Sequence, residues 1–237
     1  MSGAAGGRLT LVPTPIGNRE DLSPRSLRTL AEADLVAAED TRHTGQLLAG
    51  LGVKAHFLSF HEHNEEQQLP RLLAALAAGQ RVALVSDAGT PGLSDPGFRA
   101  VRAALAAGHA VEALPGPTAL IPALVASGLP CERFIFEGYL PRKPGARAAA
   151  FAALVEESRS TVFYETPHRL ARSLAELAAL LPERPVVVAR ELSKLHEEYW
   201  RGKASALAAA LGERSLRGEF VLIVGGREAR LPAERLP

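Results

Sequence analysis

Ser86-Asp87-Ala88-Gly89-Thr90-Pro91-Gly92-Leu93-Ser94-Asp95-Pro96-Gly97 is the stretch from which the rest of the chain can be read. It follows an apolar run, Arg81 to Val85, that predicts a buried strand. It precedes Phe98 to Ala107, where Phe98, Val101 and Leu105 recur at helical spacing. Three glycines, two prolines and two aspartates make a longer connection than a strand-to-helix turn requires. In open α/β sheets, ligands sit beyond the carboxyl ends of the strands, which makes this loop a candidate binding site. A rigid turn is the alternative, because Gly, Pro and Asp are also ordinary turn residues.

Strands alternate with helices on either side of this loop. Leu9 to Val12, Leu35 to Ala38, Ala55 to Ser59 and Ala110 to Leu114 predict further strands. Helices are predicted from Pro24, with Ser23 as cap, to Ala33, and over Thr44–Leu51 and Glu66–Ala78. That alternation points to a largely parallel sheet. From about Pro122 the pattern changes. Strands over Arg133–Leu140, Thr161–Tyr164, Pro185–Arg190, Glu197–Arg201 and Glu219–Val224 are separated by helices over Ala146–Glu157, Pro167–Leu181 and Ser205–Leu211. The hairpin near Glu197 predicts a mixed sheet. The expected organisation is a flexible tail over 1–8, an N-terminal α/β domain over 9–121, a C-terminal α/β domain over 122–226, and a tail over 227–237.

Composition sets bounds on function. The chain has 237 residues, 47% hydrophobic and 22% charged, which is a globular balance. A net charge of +1 provides no global field for nucleic acid, so any such contact must be local. Cys131 is the only cysteine, which excludes an internal disulfide and a cysteine-based zinc site and fits a reducing cytoplasm. No apolar run reaches membrane-spanning length. Neither a Gly-x-Gly-x-x-Gly turn nor a Walker loop follows a strand.

Other strand ends also carry chemistry. Asp40-Thr41-Arg42 is either a structural ion pair or a guanidinium fork for a phosphate. His61-Glu62-His63 lacks metal-site spacing and reads as a polar loop. Glu165-Thr166-Pro167-His168-Arg169 starts a helix whose amides are able to receive a ligand or simply be capped. Glu191-Leu192-Ser193-Lys194 is a solvated charge run or part of a site.

In order along the chain, six motifs resemble those of one family. They are Thr14-Pro15-Ile16-Gly17-Asn18, Glu39-Asp40-Thr41-Arg42, Ser86-Asp87-Ala88-Gly89-Thr90-Pro91, Pro115-Gly116-Pro117-Thr118-Ala119, Phe163 to Arg169 and Arg190 to Lys194. The family is that of the small-subunit (16S) ribosomal RNA 2'-O-ribose methyltransferases, within the tetrapyrrole methylase superfamily. The resemblance covers about Leu9 to Gly226. It implies two α/β domains with an S-adenosyl-L-methionine cleft between them. It also implies a cytoplasmic homodimer acting on the ribose of a decoding-site cytidine in the small ribosomal subunit; the reaction itself calls for no metal. Carried over by position, the cofactor lining is Ile16, Val85, Ser86, Asp87, Thr90, Thr118, Ala119, Glu165 and Leu192. Members of the family commonly carry a further C-terminal segment, whereas this sequence runs only a few residues past Gly226.

Methyl transfer to a hydroxyl needs alignment of the attacking oxygen and an acceptor for its proton. Residue type and strand-end position single out Glu191 and Lys194 near the transfer centre, a lysine of lowered pKa being one suitable base, with Arg42 orienting a phosphate. Arg142, Lys143 and Arg147, and separately Arg25 and Arg28, form basic patches for RNA or simply solvated faces. Carbon methylation of a tetrapyrrole, or ribosome binding without catalysis, are the alternative functions.

Overall fold

The computed structural model describes residues 7–212 and 216–237. Most of the expected N-terminal tail, residues 1–6, lies outside the described residues. The chain forms two compact units, one ending at Thr118 and the other beginning at Ala119.

The first unit is built on β1 (Arg8–Leu11), β2 (Leu35–Ala38), β3 (Phe57–Ser59), β4 (Arg81–Val85) and β5 (Ala110–Ala113). All pairings are parallel, in the order β3-β2-β4-β1-β5. Helices α1 (Pro24–Ala31), α2 (Thr41–Gly50), α3 (Glu65–Ala77) and α4 (Phe98–Ala106) connect the strands. Alternation along β4 accounts for the layering. Val82 and Leu84 join a core with Leu72 and Leu76 of α3 and Ala100 and Ala104 of α4, whereas Ala83 and Val85 pack with Leu30 of α1 and Leu48 of α2. A strand buried on both faces reads as a continuous apolar run, which is why β4 is legible in sequence.

The second unit begins with α5 (Leu120–Val125), a short helix that the sequence analysis does not assign. Its sheet contains β6 (Phe134–Tyr139), β7 (Ser160–Glu165), β8 (Pro185–Arg190), β9 (Glu198–Lys203) and β10 (Phe220–Val224), in the order β6-β7-β10-β8-β9. Only β6 and β7 run parallel, so this sheet is mixed as expected. Helices α6 (Pro144–Ala153), α7 (Pro167–Leu180) and α8 (Ala204–Leu211) contribute Phe151, Leu170, Leu174, Leu177 and Leu207 to a core with Phe163, Val186, Val188 and Leu222.

Most element boundaries shift by one to four residues from the sequence reading, and three differences have a visible cause or consequence. Helix α2 starts at Thr41 rather than Thr44, because the Asp40 carboxylate accepts the Arg42 and His43 amides and caps the first turn. Helix α6 starts at Pro144 and ends at Ala153, four residues before the expected Glu157. At the C-terminus, Arg235 exchanges two backbone hydrogen bonds with Arg201, at 2.6 and 2.7 Å, which docks this part of the expected tail beside β9.

Candidate functional site

In the first unit, β2 leads towards β3 on one side while β4 leads towards β5 on the other, so their connections diverge at a topological switch point. The crevice beyond such a point is where open α/β sheets bind ligands. Here the segment after β2 is bonded to the segment after β4. The Asp40 amide donates to Asp87 Oδ1 at 2.9 Å, and the Asp87 amide donates to Glu39 Oε2 at 3.4 Å.

The loop after β1 joins the same loop after β4. Thr14 and Gly89 exchange backbone hydrogen bonds of 2.9 and 3.0 Å, and the Thr14 hydroxyl donates to the Ser86 carbonyl at 3.1 Å. The loop after β5 is attached by Thr90, whose hydroxyl donates to the Pro117 carbonyl at 2.8 Å. Gly89 has φ +87°, and a Cβ there would lie 3.4 Å from Ile16 Cγ2 and 4.0 Å from Thr118 Cα. Ile16, Ser86, Asp87, Thr90 and Thr118 therefore belong to one set of stitched loops, with Val85 at the end of β4. At the far end of the loop after β4, Gly97 (φ +139°) donates its amide to the buried Glu65 carboxylate at 3.0 Å.

The sequence reading missed Asp95. Burial raises its pKa to about 7, with the charges of Glu39 and Asp87 adding to the effect and a bond from Ser86 opposing it. Glu39 is also raised, chiefly by burial. The available signal was the spacing of Asp87 and Asp95 within one loop, but only the fold brings Glu39 to them.

Arg42 is folded back on Asp40, with Nε–Oδ1 3.1 Å and Nη2–Oδ2 2.8 Å, and its side chain is 87% exposed. The pair lies within one helix start and does not itself tie two loops together. It holds the Asp40 carboxyl well below its usual range, through the Arg42 side-chain and backbone bonds.

In the second unit, Glu191 and Ser193 follow β8 with φ +51° and +66°, conformations that cost free energy outside glycine. Glu191 Oε1 accepts the Glu219 amide and the Lys194 ammonium, both at 2.9 Å, and Lys194 also reaches Glu219 Oε2 at 2.9 Å. Burial disfavours the Lys194 charge, but its bonds to Glu219 and Glu191 outweigh this and raise its pKa. The expected lysine of lowered pKa is thus replaced by a clamped ammonium. Burial alone would raise the Glu191 pKa, yet the bonds from Lys194 and the Glu219 amide lower it. Ala119 caps α5, and Leu192 is buried beside Glu191 in sequence. Glu165 is also buried, and its carboxylate accepts the Thr166 amide and the Ser173 hydroxyl, both at 2.8 Å.

Arg147 does not belong to an exposed basic patch. It is 3% exposed, paired in fork geometry with Glu176 at 2.7 Å through both nitrogens, and bonded to the carbonyls of Pro141 and Arg142. Arg142 and Lys143 are exposed, as are Arg25 and Arg28, although Arg25 is paired with Glu112. No group of three or more His, Cys, Asp or Glu among the described residues is arranged to hold a metal ion. No helix among them is long and apolar enough to cross a membrane.

Residues 8–208 match the family model for tetrapyrrole (corrin/porphyrin) methylases. A Synechocystis protein, "Ribosomal RNA small subunit methyltransferase I", is 48% identical over 221 residues, covering 93% of this chain and 79% of the relative. The protein of the same name from Escherichia coli O157:H7 is 49% identical over 236 residues, covering 97% and 82%. Among solved structures, uroporphyrin-III-C-methyltransferase from Thermus thermophilus superposes with a TM-score of 0.64 at 25% identity, over 92% of this chain and 94% of that one.

Proposed function

The chain belongs to the tetrapyrrole (corrin/porphyrin) methylase family, and we propose that it uses S-adenosylmethionine to methylate small-subunit ribosomal RNA. The observation that carries this reading is the 48% identity to a ribosomal RNA small subunit methyltransferase extending over both units, nearly twice the 25% shared with the porphyrin enzyme. The acceptor is the 2'-hydroxyl of a decoding-site cytidine in 16S RNA, and the enzyme works in the cytoplasm as a homodimer. Displacement at a methyl carbon needs no metal.

The stitched loops suit this cofactor. Gly89 keeps the backbone bare beside Ile16 and Thr118, and the carboxyl groups of Glu39, Asp87 and Asp95 provide negative charge for a cationic ligand. When bound, S-adenosylmethionine supplies an electrophilic methyl group on a sulfonium. Ile16, Val85, Ser86, Asp87, Thr90 and Thr118 bind it. Ala119, Glu165 and Leu192 remain in the proposed set on the resemblance alone, and the prior engagement of the Glu165 carboxylate makes its part a structural one. Lys194 acts as a fixed cation towards an anionic substrate, Glu191 holds it in place, and the proton released from the acceptor hydroxyl passes to solvent water. Arg42 is freed from Asp40 to meet a phosphate. Arg142 and Lys143, together with Arg25 and Arg28, provide local positive charge for RNA.

The test supplies methyl-labelled S-adenosylmethionine with small ribosomal subunits or with a porphyrin precursor, and maps ribose methylation in any labelled RNA. Label at a ribose of the small subunit is expected. Label in the porphyrin, or subunit binding without label, would overturn the reading.

A further inference from the structure

The second sheet carries an aromatic surface that its sequence pattern conceals. Phe136 and Tyr139 lie three residues apart on β6, so an unbroken strand would turn them to opposite faces. The pairing of β6 with β7 slips between them. Phe136 aligns with Val162, but Tyr139 aligns with Tyr164, so three steps on β6 match two on β7. Gly138, at φ +68°, lies within this extra-residue bulge.

As a result, both rings meet the same partner. Phe136 contacts the Tyr164 ring at 5.0 Å and Tyr139 contacts it at 5.6 Å, each inclined by 67°. Tyr164 is adjacent in sequence to Phe163, which packs into the helix-covered core, so this aromatic group occupies the other face of the sheet. Tyr139 is 55% exposed, and Phe134, two residues before Phe136 on the same face, is also exposed. β6 is one of the two edge strands of its sheet. The chain leaving it carries Arg142 and Lys143, both exposed and neither paired with a carboxylate among the described residues. The Arg142 carbonyl is held by buried Arg147, which fixes the turn that presents these two cations.

We propose that Tyr139, Phe136 and Tyr164 form a stacking platform for an unpaired base of single-stranded RNA, with Arg142 and Lys143 meeting the flanking phosphates. Aromatic faces beside positive charge match single-stranded RNA, whose bases are free to leave the stack, whereas duplex bases are hidden. This proposal rests on the reading of the chain as an RNA methyltransferase, and adds the form in which the RNA is held.

The test measures binding of a short fluorescein-labelled single-stranded RNA and methylation of small subunits, for the wild type, Tyr139→Ala, Tyr139→Phe and the double variant Arg142→Ala/Lys143→Ala. Loss of one stacked base weakens binding by about tenfold or more, so Tyr139→Ala is expected to lose that factor and Tyr139→Phe to retain affinity. The double variant is expected to weaken binding and to flatten its dependence on salt, by about 0.7 in logarithmic slope per lost phosphate contact. Tyr139→Ala should keep the same salt slope as the wild type. Duplex RNA should compete poorly. Unchanged oligonucleotide affinity in Tyr139→Ala, or a change of its oligomeric state in place of RNA affinity, overturns the platform while leaving the methyltransferase reading intact. Wild-type protein that neither binds the oligonucleotide nor labels small subunits overturns both.

Discussion

Removing Arg147 separates two incompatible roles for that residue. An exposed RNA ligand could be truncated with little effect on stability, but the structure buries Arg147 against Glu176 and two carbonyls. Breaking a buried ion pair from one side costs about 3–5 kcal/mol when the surviving charge is stranded. Glu176 is not stranded, because its side chain is 31% exposed and it retains Arg172 at 2.9 Å. What Arg147→Ala loses is the donor to two carbonyls and the packing of its stem, together about 2–3 kcal/mol. Glu176→Gln should cost more, about 3–4 kcal/mol, since it leaves a buried guanidinium facing a neutral amide. The double variant should cost less than the sum of the two. Trp200, the sole tryptophan, is buried in the core of the same unit, so its emission on heating follows the relevant unfolding. A midpoint lower by about 10 °C is expected for Arg147→Ala. The pair also fixes a pH dependence. Arg147 and Arg172 lower the Glu176 pKa from 4.5 to about 2, so its contribution is complete above the unfolded value and disappears as pH falls through 2. The gap between wild type and Arg147→Ala should therefore narrow in acid. Equal midpoints at neutral pH, combined with a large loss of RNA affinity, would refute the buried role.

Asp95, with its pKa near 7, is about a tenth ionised at pH 6 and about nine tenths at pH 8. Affinity for cationic S-adenosylmethionine should rise across that interval and become flat in Asp95→Asn, as measured by calorimetry. Because its folded pKa is raised, Asp95 favours the folded state below its unfolded pKa, and this contribution is lost as pH rises through 7. In Gly218→Ala, a Cβ would lie 2.7 Å from Glu191 Cγ on a backbone at φ +104°. Displacing Glu191 should release one of the two clamps on Lys194 and slow methylation by about tenfold, equivalent to ~1.4 kcal/mol. Full activity in that variant would remove Glu191 from the site. Glu65→Ala leaves the buried Gly97 amide without its acceptor, at a cost of about 1–3 kcal/mol. Its expected signature is a raised KM for the cofactor with kcat nearly unchanged.

The features legible in sequence are those whose causes are local. The continuous apolar run of β4 and the Ser23-Pro24 start of α1 are written within a few residues, and the Ser23 side chain does accept the Ser26 amide. Asp40 is only half legible. A carboxylate beside a guanidinium reads as a charge pair, and Arg42 is indeed bound to it, but the same carboxylate also accepts the Arg42 and His43 amides of the helix it starts, which the pair does not announce. Arg147 misleads for a different reason. Among alanines at positions 146–150 it looks solvated, whereas the carboxylate that buries it lies 29 positions away. Asp95 likewise acquires its raised pKa from burial and from Glu39, which follows a strand far away in the sequence.

The aromatic face of β6 shows how one residue can invert a pattern. Alternation assigns Phe136 and Tyr139 to opposite sides, and no count of apolar positions corrects this, because the correction is a slipped register against β7. Only Gly138 hints at it, and a glycine in a strand equally indicates a simple weakness. The bulge implies an experiment on the backbone alone. Gly138→Ala places a Cβ at φ +68°, which disfavours the bulge without touching either ring. If the slipped register is what assembles the platform, this change should weaken single-stranded RNA binding as Tyr139→Ala does, while cofactor affinity remains as in the wild type. If RNA affinity also remained at the wild-type value, the bulge would be a feature of packing and the two rings would owe their function, if any, to something other than their shared face.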